Sequence, residues 1–277
     1  FTSNSLLYDI KSASRLSVLA SSAAEYRYSA AFARMNLSWK RKLFMNLTGR
    51  RDGSSRFGPG KQFANFGAIG AAYIFSDEKF IKDNLSFLSF GKLRASYGLT
   101  GSDNIGDYKF MDTYGSSAVS YQGKIGLAPT GLFNPNFAWE TNSKLEGALD
   151  LGILDNKINL SVSYYYNRSS NQLVGIPLSV VTGFPSINAN LAATVQNTGW
   201  EFELNSKNWH SKRFTWSTSF NMTIPRNKLI SFPNLETSTY ANQYVVGQPL
   251  NIYKRYHYLG VDPQTGIYTY EDVYHDG

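Results

Sequence analysis

Apolar and polar residues alternate with a period of two over much of the chain, which is typical of β-strands whose faces meet different surroundings. From Ile158 to Asn167, Ile, Leu, Val and Tyr side chains occupy one face, and the other is mainly Asn and Ser. The pattern predicts eight strands, over residues 32–39, 43–51, 64–75, 91–100, 139–151, 158–167, 198–205 and 214–223. All nine prolines lie outside these segments, as expected because proline has no N–H for a β-ladder.

The predicted connections alternate in length. Residues 40–42 and 155–157 are tight turns, and residues 76–90 and 206–213 are connections of intermediate length. The connections on the other side are long and comprise residues 53–63, 101–138, 168–197 and everything after Ile224. Short connections on one side and long ones on the other are typical of up-and-down barrels in outer membranes, where the short turns face the periplasm.

The predicted strands share one apolar face with a single charge, Arg51, beside a long connection. This face is formed by Ala33, Met35, Leu37, Trp39, Leu43, Met45, Leu47, Leu93, Ala95, Tyr97, Leu99, Leu145, Leu149, Leu151, Trp200, Phe202 and Leu204. The opposite face is polar and carries Arg34, Asn36, Asn46, Arg50, Lys92, Arg94, Glu140, Asn142, Lys144, Glu146, Asp150, Glu201 and Glu203. In a membrane barrel these polar groups line the lumen, and we take all of them except Asn36 and Asp150 as candidate substrate-binding residues.

A soluble β-sandwich also alternates in this way, but with its polar face outside. Three features favour an all-β, antiparallel transmembrane barrel wall: the nearly uncharged apolar face, the long connections, and aromatic residues near predicted strand ends. Those aromatic residues are Trp39, Tyr73, Phe75, Tyr164, Tyr166, Trp200, Phe214 and Trp216. The segment 64–75 is unusual because both of its faces are small or apolar, and small residues facing a lumen would let another group approach the wall closely.

Composition narrows the class of protein. Aromatic residues make up 15% of the 277 residues and charged residues only 17%, and no apolar run approaches the roughly 18 residues of a membrane helix. The chain has no cysteine, so it contains no disulfide. At about 35 residues per strand, a barrel of about 22 strands needs on the order of 770 residues. The 277 residues therefore correspond to about a third of the wall of such a barrel.

Short motifs resemble those of the SusC/RagA family of TonB-dependent outer-membrane transporters. They occur in the family's order over residues 32–272, at Arg50–Gly60, Gly91–Gly101 continuing through Asn104–Gly106, Trp139–Thr141, Thr182–Ile187, Asn197–Leu204 and Tyr258–Gly266. The resemblance implies a piece, residues 1–277, from the middle of a 22-stranded barrel, without the plug, the TonB box or the C-terminal strands. It also implies import of glycans or oligopeptides, energy from the TonB complex, contact with outer-membrane lipid, and a SusD-like surface lipoprotein as a lid.

The residues offer little sign of catalytic chemistry, and we expect no enzyme, cofactor or metal site. His210, His257 and His275 lack metal-ligand spacing, and Asp103, Asn104 and Asp107 lack the spacing of an EF-hand. The glycine-rich segment 53–61 departs from the P-loop pattern, because Gln62 follows its lysine. Glu140, Glu146, Glu201 and Glu203 are better explained as solvated wall charges than as a glycosidase pair.

The net charge of +7 suggests a nucleic-acid partner, but the polar face carries nearly equal numbers of acids and bases. That balance favours a neutral or zwitterionic cargo, such as a sugar or peptide, and no nucleic acid. Aromatic residues of the long connections are candidates for stacking on sugars or contacting the lid, and they are Tyr108, Phe110, Tyr114, Tyr121, Phe133, Phe137, Phe184, Tyr240 and Tyr244. Two alternatives stay open: a soluble secreted β-sandwich of the adhesin or lectin type, and a passive porin.

Overall fold

The computed structural model describes residues 10–13 and 21–271. Its strands are β1 (Tyr28–Trp39), β2 (Leu43–Ser54), β3 (Phe63–Ile74), β4 (Leu88–Ser102), β5 (Thr113–Tyr121), β6 (Lys124–Gly131), β7 (Glu140–Ile153), β8 (Ile158–Ser170), β9 (Gln172–Pro177), β10 (Ser186–Leu191), β11 (Thr194–His210), β12 (Thr215–Ser231), β13 (Tyr258–Val261) and β14 (Tyr268–Tyr270). One α-helix, α1 (Lys79–Asn84), follows β3, and short 3-10 helices lie at Ile10–Ser12, Phe75–Asp77, Val180–Thr182 and Leu235–Thr237. Among the described residues, no helix has both the length and the apolar character needed to cross a bilayer.

The eight predicted strands form one antiparallel sheet in the order β1-β2-β3-β4-β7-β8-β11-β12. Sequential neighbours pair throughout, which is the up-and-down topology that the alternating connections predict. The strands have 12 to 17 residues, more than the roughly 9–11 that a tilted strand needs to cross the hydrocarbon core. Within the described chain the sheet is open, with β1 and β12 at its two edges.

The register confirms the two faces. One row of paired residues across the sheet is Asn36, Asn46, Gly70, Ser96, Glu146, Tyr165, Gly199 and Pro225. The neighbouring row, on the other face, is Leu37, Met45, Ala71, Ala95, Gly147, Tyr164, Trp200 and Ile224. Large apolar side chains of this outer face stay open to the surroundings: Leu93 is 50% exposed and Leu145 is 48% exposed. A soluble sandwich would bury this face against a second sheet, whereas none of the smaller sheets among the described residues covers it.

The two tight turns are confirmed, and their backbones explain why they are tight. Lys40 and Arg41 adopt φ of 50° and 56°, and Asp155 and Asn156 adopt φ of 56° and 57°. Consecutive left-handed residues have the twist that matches two antiparallel strands joined by a short loop. These turns and the β3–β4 connection, which holds α1, lie on the side that we assign to the periplasm.

Other expectations were wrong. Residues 206–213 are not an intermediate connection, because β11 continues to His210 and a tight turn closes where the Ser211 amide donates to the Phe214 carbonyl at 2.8 Å. A bulge between Lys207 and Trp209 interrupts the period of two, so the sequence pattern does not show that the strand continues. Because β11 is 17 residues long, Trp200 lies inside the strand and not near its end.

Three prolines lie in strands or strand extensions that the pattern did not predict: Pro129 in β6, Pro177 in β9 and Pro225 in the part of β12 beyond residue 223. Each of these strands has one side without a partner in the described chain, and such edges tolerate the missing N–H. The long connections are not irregular either. They contain the hairpins β5–β6, β9–β10 and β13–β14.

Candidate functional site

The candidate site is the polar inner face of the sheet, which we call the inner wall. All eleven predicted substrate-binding residues lie on strands of the large sheet, and they are Arg34, Asn46, Arg50, Lys92, Arg94, Glu140, Asn142, Lys144, Glu146, Glu201 and Glu203. Their grouping into substrate contacts stays a prediction. The register nevertheless fixes which of them share a neighbourhood.

Arg94 is the centre of the one ion-pair network on the middle of the inner wall among the described residues. Its Nη1 lies 2.7 Å from Glu146 Oε1 and its Nε lies 3.2 Å from Asp150 Oδ2. Asp150 also accepts a hydrogen bond from Ser161 Oγ at 2.7 Å. Arg94 is about two-fifths exposed, so the network is a solvated patch of one cation between two carboxylates that spans β4, β7 and β8.

Beyond β3 lies a second polar group, formed by Arg34, Asn36 and Asn46. With the Asn46 amide oriented to accept, its oxygen lies 2.7 Å from both Nη2 and Nε of Arg34. Between this group and Arg94, the small residues Gly70 and Ala72 leave a depression of about 810 Å³. This geometry agrees with the expectation that the small residues of the 64–75 segment let another group approach the wall.

The remaining candidates are spread along the wall and do not converge. Glu201 accepts from Ser163 Oγ at 3.2 Å and Glu203 accepts from Asn205 Nδ2 at 2.8 Å, and neither carboxylate has a cation within 4 Å among the described residues. Glu140 accepts from Asn142 Nδ2 at 3.1 Å. The wall therefore has cations on β1, β2, β4 and β7 and excess acid on β11.

Near the long connections, Arg50 forms a second site on the inner wall, which we call the mouth pocket. Arg50 Nε lies 2.8 Å from Asp52 Oδ2, and Nη2 donates to the Tyr28 hydroxyl at 2.8 Å. Asp52 is 4% exposed, whereas the Arg50 side chain is 45% exposed and keeps N–H groups free for a ligand. Phe66 and Trp139 complete a cavity of about 270 Å³.

Tyr28 and Asp52 were missed as site residues. Asp52 lies just beyond the predicted strand 43–51, although it continues the period of two from Arg50 onto the same face. Tyr28 precedes the predicted first strand, and its contact with Arg50 across the β1–β2 pair depends on a strand start that the pattern did not show. The available signal was that Tyr28 lies an even number of residues before Arg34 and Asn36, which places it on the same face of an extended strand.

Above the mouth pocket, the long connections fold together into what we call the loop cluster, centred on Phe57, Phe137 and Trp139. Phe57 is fully buried, and Trp139 Nε1 donates to the Gln62 carbonyl at 2.9 Å. Ile105, Phe110 and Leu173 pack against the three aromatic rings. The cluster ties the connection after β2 to the connection before β7 and to β9.

Arg56 fixes the polar edge of the loop cluster. Its Nε donates to Asp107 Oδ1 at 2.8 Å and its Nη1 donates to the Asp103 carbonyl at 3.0 Å, and the hydrogen bond to Asp107 raises the pKa of Arg56. The guanidinium also lies 4.2 Å from the centre of the Tyr26 ring. Desolvation and the hydrogen bond to Asp103 raise the pKa of Tyr26. These contacts give the Arg50–Gly60 motif a structural role.

Asp103 and Asp107 are thus held by protein groups, since Asp103 Oδ2 also accepts from Tyr26 and Ser54 hydroxyls at 2.7 and 2.8 Å. Among residues 10–13 and 21–271, no group of three or more His, Cys, Asp or Glu side chains is placed to hold a metal ion. His210 lies 3.0 Å from the Thr215 hydroxyl and His257 pairs with Glu271 at 2.7 Å. His275 lies outside the described residues.

A comparison with protein-family models shows which family the chain belongs to. Residues 3–274 match the family model described as TonB dependent receptor-like, beta-barrel. The chain belongs to this TonB-dependent receptor family. The family's members are outer-membrane β-barrels, so the apolar face of this receptor wall meets lipid and the polar face meets the lumen.

Individual relatives support the narrower resemblance to SusC and RagA. The receptor wall is 32% identical over 257 residues to TonB-dependent receptor P39 of Formosa agariphila, covering 93% of this chain and 24% of that protein. It is 29% identical over 264 residues to TonB-dependent receptor SusC of Bacteroides thetaiotaomicron, covering 88% of this chain and 25% of that protein. The chain spans about a quarter of the length of these curated relatives.

Solved structures agree with the sequence relatives. The receptor wall superposes on a structure of the RagAB peptide importer in its closed-closed state with a TM-score of 0.79 and 27% identity, covering 89% of this chain and 27% of that one. The open-open state of the same importer gives a TM-score of 0.74. The resemblance noted from the motifs is confirmed, and the soluble adhesin alternative finds no support.

Proposed function

We propose that the protein to which this receptor wall belongs imports glycans or oligopeptides across the outer membrane in a TonB-dependent manner. The observation that carries the proposal is the continuous polar inner face opposite a predominantly apolar outer face, in a chain of the TonB-dependent receptor family. The relative named SusC and the structures named as a peptide importer support the same activity. In this proposal the segment supplies wall, lumen lining and outward loops, and it catalyses no reaction.

The partners follow from the same relatives. We propose that a SusD-like surface lipoprotein covers the outward connections, and that the TonB complex supplies energy through a plug region outside this chain. Cargo is captured under the lid, held in the closed lumen and released to the periplasm when TonB acts. A lumen with balanced charge suits a neutral or zwitterionic cargo better than a polyanion.

We further propose the mouth pocket as a contact for cargo. Arg50 is already neutralised by the buried Asp52, so a second carboxylate there would meet uncompensated repulsion. An uncharged acceptor, such as a sugar hydroxyl or a peptide carbonyl, fits the remaining N–H groups of Arg50, and the rings of Phe66 and Tyr28 offer an apolar surface beside it. The Arg94 network and the Arg34 group are the next contacts along the wall.

Uptake measurements test the activity. The full-length receptor is expressed in a strain lacking it, and entry of labelled oligosaccharides and oligopeptides is measured with TonB intact and deleted. We expect entry of at least one cargo class and its loss without TonB. Equal entry in both strains would instead identify a passive porin and overturn the proposal.

A paired substitution tests the mouth pocket. Arg50→Gln with Asp52→Asn removes both charges together, which avoids leaving a buried carboxylate unpaired. We expect cargo affinity of the full-length receptor to fall about tenfold, because hydrogen bonds to a charged donor are lost. Arg27→Gln is the matched control, since the Arg27 side chain is 79% exposed outside the pocket. Unchanged affinity in the paired variant would remove the pocket from the cargo path.

A further inference from the structure

The two ends of the wall differ in charge. The four connections on the periplasmic side, residues 40–42, 75–87, 154–157 and 211–214, carry eight Lys or Arg against four Asp or Glu. The outward connections, residues 55–62, 103–139, 171–193 and 232–271, carry six of each. The positive excess is therefore confined to the shorter end, which we call the periplasmic rim.

Several of these cations lie on the lipid side of the sheet and not on the lumen side. Trp39 belongs to the outer face, where it pairs with Leu43, and the Lys40 ammonium lies 4.5 Å from the centre of its ring. Lys42 pairs at 3.1 Å with Glu78, which also accepts from the hydroxyl of outer-face Tyr73 at 2.9 Å. Turn 40–42 therefore projects from the lipid-facing side of the wall.

Large apolar side chains accompany these cations. Phe80 in α1 is 74% exposed, Trp39 is 63% exposed, and Trp209 and Trp216 at the β11–β12 turn are 61% and 56% exposed. Exposed aromatic rings beside lysines are the arrangement that membrane proteins use at the level of lipid headgroups. An aqueous site for a free anion would not need this apolar neighbourhood.

The cations are only partly satisfied by the protein. Lys42 pairs with Glu78, and Lys82 pairs with Asp77 at 2.9 Å. Lys40, Arg41 and Lys79 near turn 40–42, and Lys212 and Arg213 at the β11–β12 turn, have no carboxylate within 4 Å among the described residues. None of these five cations is in direct contact with a carboxylate of the described residues, so each can contact an anion outside this chain.

We propose that the periplasmic rim, centred on turn 40–42, binds the phosphate groups of anionic phospholipids in the periplasmic leaflet. Lys40, Arg41 and Lys212 contact the phosphates, and Trp39, Trp216 and Phe80 lie among the glycerol and upper acyl groups. This binding goes beyond cargo import and depends only on the location of the wall in the outer membrane. Each juxtamembrane cation near an anionic surface strengthens binding about fivefold, an effect that salt weakens.

The full-length receptor in nanodiscs provides the test. Discs of phosphatidylcholine mixed with phosphatidylglycerol are prepared, and native mass spectrometry counts the lipids that each receptor retains. We expect the wild type to retain phosphatidylglycerol preferentially, and the triple variant Lys40→Gln, Arg41→Gln, Lys212→Gln to reduce that preference on the order of tenfold or more. High salt should reduce the wild-type preference in the same direction.

Two matched variants make the outcome decisive. Lys61→Gln, Lys109→Gln, Lys124→Gln removes three exposed cations from the outward connections, and it should keep the preference. Lys40→Arg, Arg41→Lys, Lys212→Arg keeps the charges and should also keep it. An unchanged preference in the triple rim variant, or an equal loss in the outward variant, would overturn the proposal. Cargo uptake by the same variants, measured separately, distinguishes failure here from failure of the proposed import function.

Discussion

The wall and the loop cluster are held together in different ways. Across the wall, apolar residues such as Leu93 and Leu145 stay about half exposed, and the ladder hydrogen bonds of eight strands provide order. In the loop cluster, Phe57 and Phe137 are almost completely buried, as in the core of a soluble domain. The wall therefore needs lipid to cover its apolar face, whereas the loop cluster excludes water by its own packing.

The largest expected loss of stability comes from truncating a buried phenylalanine of the loop cluster, compared with an exposed phenylalanine of the wall. Phe57→Ala removes a fully buried ring and should destabilise the loop cluster by about 3–5 kcal/mol, since a cavity remains. Limited proteolysis of the full-length receptor in membranes would show rapid cleavage of the outward connections. Phe32→Ala is the control, because Phe32 is 78% exposed on the inner wall, and it should leave cleavage unchanged. Equal resistance of both variants would mean that the cluster is not a packed core.

The next effect tests the lipid-facing side of the wall. Leu145→Arg places a charge on the outer face, which should cost about 2–4 kcal/mol if the residue lies near the bilayer midplane. Urea unfolding of the full-length receptor in lipid vesicles measures the loss. Asn167→Arg, on the inner face of the adjacent strand, should have little effect. A larger loss for Asn167→Arg would reverse the assignment of the two faces.

Arg56 tests the polar edge of the loop cluster. Arg56→Gln removes the ion pair with Asp107 and the contact with the Tyr26 ring, and both charged side chains are about three-quarters buried. We expect a loss of about 1.5–3 kcal/mol, measured by the same proteolysis. Arg27→Gln breaks the exposed pair with Glu25 and should cost much less. Similar losses in the two variants would show that Arg56 adds no more than a surface ion pair.

A smaller effect is expected for Trp139→Phe. The variant keeps an aromatic ring in the cluster but loses the hydrogen bond from Nε1 to the Gln62 carbonyl, worth about 0.5–1.5 kcal/mol. Proteolysis should accelerate by roughly threefold to tenfold if cleavage follows local opening. No acceleration would indicate that ring packing alone positions the connection after β2.

The smallest effect lies in the β13–β14 hairpin, outside both regions. The Gln264 and Thr265 amides donate to Asp262 at 2.7 and 3.1 Å, and these bonds lower the pKa of the Asp262 carboxyl. A lowered pKa means that the stabilisation is present above the ordinary carboxyl pKa and is lost as pH falls through the lowered value. After division by the intrinsic exchange rate at each pH, the protection of the two amides should fall on acidification in the wild type and stay nearly constant in Asp262→Asn. If the pH profiles of the wild type and of Asp262→Asn were parallel, the role of the Asp262 carboxylate in holding the two amides would be contradicted.

The wall was predictable from the sequence because it depends on local alternation. The alternation along each strand is enough to place Arg94, Glu146 and Glu203 on the inner face. The observed strand register places them there too. Strand prediction failed where the alternation of the two faces is interrupted, as at the bulge between Lys207 and Trp209. It also failed in the outward connections, where β5–β6 and β9–β10 are short and contain Gly and Pro, which are rare in strands.

The loop cluster and the mouth pocket were beyond local reasoning for a different reason. Arg56 meets Asp107 and Trp139 meets Gln62 across 51 and 77 residues, so no spacing in the sequence marks these contacts. The Arg50–Gly60 motif was noticed as a resemblance, but its role in packing and in the mouth pocket appears only once the connections fold together. Contacts of high sequence separation are specified by the whole fold and not by a segment.

The most direct test of the central claim compares two adjacent residues on β7. Because the 277 residues contain no cysteine, Leu145→Cys and Glu146→Cys can be introduced singly into the full-length receptor after removal of any cysteine elsewhere. A small water-soluble thiol reagent is then applied to intact outer membranes. We expect rapid labelling at position 146, which faces the lumen, and protection at position 145, which faces lipid. Labelling at 145 with protection at 146, or equal labelling at both, would contradict it.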